Sequence, residues 1–379
     1  MSTLVQALDQ KPLESFTSLV WRRFKKHRLA VFSLLILFGL ALLSLFASLI
    51  ESYLGVSHVT ADLSIANLDA EWPHILGTNE LGQDVFTRLI FGGRISLSVG
   101  FLSAITSAIF GALIGLLAGY FGGRIDAVLM RITDAMLSIP VLPLMIVFAA
   151  LDLNRFFVSS ISLFHLAVLF FLIFSCFLLF RYLSDSPTKK HEHHYFSRLV
   201  MDGALVAGFF IGSYYLIFLL IPWQGISEGN FSSVVKLILI IVFFGWMTVA
   251  RLARASAMQL KNMEFVLAAR NLGAGPVRIL ISHILPNALA PIIVAATLEV
   301  GGNILYEAAL SFLGLGIQPP VASWGNMLNN AVEYIKSTPS LAFWPGLFIL
   351  VTVACFNFLG DGMRDALDPH QVMKSAKDT

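Results

Sequence analysis

Long uninterrupted apolar runs constrain this chain more than anything else in it. Leu29–Ile50, Ser96–Tyr120, Ala127–Leu151, Phe156–Phe180, Leu199–Ile221, Val234–Val249, Ala288–Leu310 and Leu341–Leu359 are each almost free of charge. At 1.5 Å rise per residue, about 20 such residues cross a hydrocarbon core of about 30 Å as a helix. A lipid-exposed backbone must satisfy its own hydrogen bonds, so runs of this length become helices. The composition agrees: 57% of residues are hydrophobic and 13% charged, where soluble domains carry about 25% charged. The expected fold is therefore an all-α polytopic membrane protein without a separate soluble domain.

Charge is sorted by loop, and the sorting predicts sidedness. Trp21-Arg22-Arg23-Phe24-Lys25-Lys26-His27-Arg28 precedes the first run, and such clusters stay on the cytoplasmic side, where anionic headgroups attract them. This segment, residues 1–28, leads into a run too long for a cleaved signal peptide, which reads as a retained anchor. Residues 51–94 lean acidic, with Glu51, Asp62, Asp69, Glu71, Glu80 and Asp84, and are expected outside. Their end is expected to form a glycine-punctuated amphipathic helix lying on the membrane. Gly115 and Gly119 form a GxxxG pair suited to close helix packing. Pro140 is expected to kink the third span, and Arg131 and Asp134, three residues apart, to pair on one helical face.

The stretch from Arg251 to Ala290 lies between two apolar runs and is too polar to cross a bilayer. Its Arg251, Arg254, Lys261, Arg270 and Arg278 put it in the cytoplasm. Its pattern predicts two short helices broken at Leu272-Gly273-Ala274-Gly275, where Gly273 and Gly275 supply positive φ and Pro276 starts the next turn. Small Ala268 and Ala269 allow close approach of another backbone, so the loop reads as a docking surface. On the following run, Glu299, Asn303 and Glu307 recur every four residues on one helical face. Ionisable groups at membrane depth are costly and face a bundle interior or wet cavity, which makes this face a candidate lining of a polar path through the bundle or a contact with another membrane chain.

The stretch resembles the EAA loop of ABC-importer permeases: Ala268, Ala269, Gly273, Leu285 and Pro286 fit, while Leu267 stands where the family has Glu and Glu264 sits one helical turn earlier. Other segments resemble the C-type permeases of dipeptide and oligopeptide importers. They are His74–Arg88 with Gly92–Leu97, Met130–Asp134 with Leu137–Pro140, Ser311–Pro320 with Ser323–Leu328 in an external loop, and the closing Asn357–Pro369. The family usually has Asp and Arg where Asn79 and Gln83 stand, so a local ion pair is lost. The resemblance implies a type I importer core of six spans. Residues 152–231 depart from it and read as an inserted hairpin of about two extra spans, by the span length used above. The intervening loop, with Lys189, Lys190 and Arg198, is expected to be cytoplasmic. So are the N-terminus and the tail 371–379 that follows the core 232–370.

The resemblance further implies a bacterial inner-membrane subunit working by alternating access. Its expected partners are a second homologous permease, two ATPase subunits, an extracytoplasmic substrate-binding protein and membrane lipid, with no nucleic acid. Glu264, Leu267, Ala268, Ala269, Arg270 and Gly273 are the expected ATPase-coupling residues. No G-x-x-x-x-G-K-[ST], HExxH or G-x-S-x-G motif occurs, so the chain is expected to be non-catalytic, with ATP hydrolysed elsewhere. No cofactor or metal is expected; His191, His193 and His194 sit among lysines and read as part of a solvated basic loop. Cys176 and Cys355 lie in apolar runs and are not expected to pair. Three readings remain open beside the peptide importer: a stand-alone secondary transporter or channel, an importer of nickel, glutathione or another small solute, and a membrane-embedded assembly or sensory protein using the inserted hairpin for a partner.

Overall fold

The computed structural model describes residues 16–151 and 228–367. Both apolar runs of the expected hairpin and the histidines 191, 193 and 194 lie outside these residues, as does Cys176. Helices α1 (Phe16–Lys26), α2 (Arg28–Leu45) and α3 (Ala47–Leu54) are followed by a loop and then α4 (Val85–Phe121), α5 (Gly123–Leu137) and α6 (Val141–Ala150). The chain continues with α7 (Glu228–Leu260), α8 (Glu264–Asn271), α9 (Pro276–Ile279), α10 (Leu285–Phe312), α11 (Trp324–Ala331) and α12 (Ser340–Leu367). A π-helical segment, Leu280–Ile284, joins α9 to α10. Among the described residues five helices are long and apolar enough to cross a membrane, and α5 with α6, bent by 82° at the break, makes a sixth if the pair is one broken span. The protein is a multi-pass membrane protein.

Packing decides where the helices begin and end. The second span starts at Val85 rather than Ser96, because Asp84 caps it by accepting from the Thr87 amide at 2.7 Å. Its 37 residues run about 55 Å at helical rise, well beyond a bilayer core. The segment before it is not an amphipathic helix. Residues 55–84 form a compact turn-rich loop whose polar groups bond to one another and to the start of α4. Asn79 donates to Gln83 at 3.0 Å, and Gln83 accepts from Arg88 at 2.6 Å and donates to the Val59 carbonyl. An amide pair thus occupies the place of the lost ion pair.

Glycine brings α4 and α7 into backbone contact. A Cβ at Gly111, Gly115 or Gly119 would collide with the carbonyl oxygens of Trp246, Ala250 and Arg254 in turn. The two helices run parallel over these turns, and the stripe is one turn longer than the GxxxG pair. Gly100 makes the matching approach to Ile304 of α10. α2 packs on α12, where Gly362 meets Ala30 and Phe24 of α1 is buried beside Ala366. The starts of α2 and α10 and the ends of α4, α7 and α12 therefore share one end of the bundle, the basic end.

Candidate functional site

At the basic end, the two expected short helices are α8 and α9, on either side of the break at residues 272–275, and α9 runs on through the π-helical segment into α10. Arg251–Leu260 are the last turns of α7, and only Glu264–Asn271 stand apart as α8. Leu272 closes α8, and Gly273 follows at φ +84°, a conformation that disfavours any side chain although the space around it is empty. Gly275, at φ −70°, is ordinary backbone capping α9, and Pro276 takes its first turn.

One residue anchors α8. Val266 is fully buried in a cluster that holds Ile279, Leu280 and Ile284 and reaches Leu116 of α4 and Ala253 of α7. The Arg270 guanidinium lies 6.0 Å from the Tyr120 ring centre, within cation–π range. The rest of the helix is presented outward. Glu264, Leu267, Ala268, Arg270 and Gly273 are exposed and Ala269 is half-buried. Glu264 opens the helix, where a negative charge suits the N-terminal dipole. Met263, Phe265 and Leu267 are also exposed, and Leu272 is 89% exposed. Phe265 and Leu272 were absent from the sequence-derived candidates. Their signal was weak: apolar residues flanking a glycine break look the same whether covered or bare.

Ion pairs hold the end of α7. Arg254 grips Asp126 of α5 with a two-pronged fork, Nε to Oδ1 and Nη2 to Oδ2 at 2.7 Å. Arg251 reaches Asp134 at 2.5 Å. Asp134 is thus taken by a neighbouring helix and not by Arg131, its expected partner, which is exposed. An interhelical partner competes easily with an i,i+3 pair worth about 0.2–0.5 kcal/mol.

The polar face of α10 divides. Glu307 is fully buried, and its oxygens accept from Ser96 of α4 at 2.7 Å and Ser311 at 2.8 Å. Asn303 is 4% exposed, and its Nδ2 has no hydrogen-bond partner among the described residues; nor has the buried Oε2 of Glu299. The supposed external loop 311–328 is not a solvent loop throughout. Ser323 and Asn326 cap α11 reciprocally, Trp324 is 1% exposed, and its indole donates to the Leu89 carbonyl at 2.9 Å. Glycines make this burial possible: Gly92 and Gly93 lie against residues 323 and 324, and Gly325 lies against Ala308. Among the described residues no group of three His, Cys, Asp or Glu is arranged to hold a metal, and Cys355 is a buried free thiol.

Residues 194–372 match the family model described as binding-protein-dependent transport system inner membrane component. Residues 15–65 match that of the N-terminal TM domain of oligopeptide transport permease C. The dipeptide transport system permease protein of Bacillus subtilis is 33% identical over 95% of this chain and 88% of that protein. The oligopeptide transport system permease protein of Escherichia coli K12 is 34% identical over 92% of this chain and 89% of its own length.

Proposed function

This chain belongs to the family of binding-protein-dependent inner membrane transport components, and on that premise we propose that it is the C-type permease subunit of an ATP-driven importer of di- or oligopeptides. α8 is the docking helix for an ATPase subunit, and the basic end is cytoplasmic. One observation carries this: a short helix with a single buried anchor presents Met263, Phe265, Leu267 and Leu272 to its surroundings at the basic end. An exposed apolar patch rimmed by charge fits a protein partner better than water. The small surface of Ala268 and Ala269 lets that partner approach the backbone, and Glu264 supplies the acidic contact one turn from its family position.

Alternating access follows from differential docking. If the ATP-closed ATPase pair binds best to the outward-open bundle, ATP shifts the population toward that state. Glu299 and Asn303 line the polar part of the path or meet the second permease; polar groups at membrane depth with atoms unpartnered among the described residues fit a functional face better than simple packing. Both oxygens of Glu307 are already engaged, which supports a positioning role at the far end of α10. A separate binding protein delivers the peptide, and ATP is hydrolysed on the separate ATPase subunits.

The test is copurification followed by uptake. The chain expressed with its neighbouring ATPases is expected to retain them, and Ala269→Trp or Gly273→Pro to abolish uptake without loss from the membrane. Uptake by the purified chain alone would instead establish a stand-alone transporter. The ligand of the associated binding protein identifies the cargo.

A further inference from the structure

α8 has two exits into the bundle, and they differ in stiffness. Toward α10 the chain passes through the π-helical segment Leu280–Ile284, with Pro286 and Pro291 in the turns that follow. Irregular hydrogen bonding of this kind marks a place where a helix bends. Toward α7 the chain is locked. Gly111, Gly115 and Gly119 leave no gap between α4 and α7, so neither helix slides without the other. Lys261, just past the end of α7, donates to the Gly119 carbonyl at 2.8 Å, capping the last turn of α4. The fork of Arg254 on Asp126 ties α5 into the same block one turn after it leaves α4 at Gly122. Arg251 on Asp134 adds a second tie two turns further along α5. Beyond Asp134, α5 ends and the span turns 82° into α6.

We propose that the Arg254–Asp126 fork is a positioning contact for coupling: it makes the ends of α4, α5 and α7 one lever, so that displacement of α8 swings the bent span α5–α6. This rests on α8 being the ATPase docking helix. The geometry suits the role, because a bidentate guanidinium–carboxylate pair fixes direction as well as distance. Arg254 and Asp126 are only partly buried, so exchanging their charges leaves no stranded ion deep in the bundle.

The test uses the complete importer, with its second permease, ATPases and binding protein, reconstituted in liposomes. Asp126→Asn, Arg254→Glu and the exchange Asp126→Arg with Arg254→Asp are compared for ATPase retention and for peptide taken up per ATP hydrolysed. The two single variants are expected to keep the ATPases and hydrolyse ATP, yet lose uptake per ATP by about tenfold, the scale of coupling energies carried by such networks. The exchange is expected to restore uptake per ATP to within about threefold of the natural protein, on the same scale. A contact that merely stabilised the fold would lower the amount of complex and leave the ratio unchanged. Unaltered ratios in the single variants, or an exchanged pair that assembles and stays uncoupled, would overturn the lever. Failure of the unaltered chain to hold any ATPase would overturn the docking reading instead.

Discussion

Near the start of α4, Arg88 and Gln83 are buried and hydrogen-bonded to each other, Trp324 is wedged in with its indole satisfied, and Glu307 has a donor for each oxygen. At the basic end, α8 buries only Val266 and leaves Leu272 bare. The first region is complete within one chain, and its polar groups are costly to disturb because each has its partner inside. The second is incomplete as it stands. Its side chains contribute little to the fold of this chain, which leaves them free to serve an interface. Stability and coupling are thus expected to separate by location.

The largest loss of stability is expected from Trp324→Ala. It empties a fully packed site and strips the Leu89 carbonyl of its donor, which costs about 3–5 kcal/mol. Thermal unfolding in detergent measures it, and a small shift would mean that α11 is peripheral. Glu307→Ala comes next. It leaves the Ser96 and Ser311 hydroxyls buried without their acceptor, for about 2–3 kcal/mol. Glu307→Gln, which keeps an acceptor, is expected to lose less.

A smaller effect depends on pH. The His58 ring stacks on Phe91 at 3.6 Å and contacts Glu51 at 2.7 Å, and burial holds its pKa below the ordinary 6.5. The folded state therefore binds fewer protons at this site than the unfolded state. Its contribution is present above pH 6.5 and is lost as pH falls through the lower folded value. Melting temperature followed from pH 8 to 5 (about the histidine range) is expected to fall more for the natural protein than for His58→Gln. Parallel curves would remove His58 from the account.

The smallest stability effect belongs to Leu272→Glu, within about 0.5 kcal/mol because the side chain is bare. The same substitution is expected to abolish ATPase retention and uptake. Normal retention would erase the contrast between the two regions.

Apolar run lengths and the basic clusters made spans, loops and the glycine break legible in the sequence, because hydrocarbon thickness and backbone hydrogen bonding act locally. Gly273 was readable for the same reason: positive φ is a property of one residue. The partner of Asp134 was not readable, since Arg251 lies far along the chain and its approach is set by the α4–α7 contact. The burial of Trp324 was hidden likewise, for it needs Gly92 and Gly93 to make room from another helix.

Sequence alone determined that this chain is helical, crosses a membrane several times and carries a basic broken loop. Each of these follows from the solvation of neighbouring residues. Tertiary structure alone decided that both oxygens of Glu307 are engaged, while Glu299 Oε2 and Asn303 Nδ2 have no partner among the described residues, although the three share one helical face. Which polar group finds a partner depends on the helices packed against it, and spacing along a single helix does not encode that.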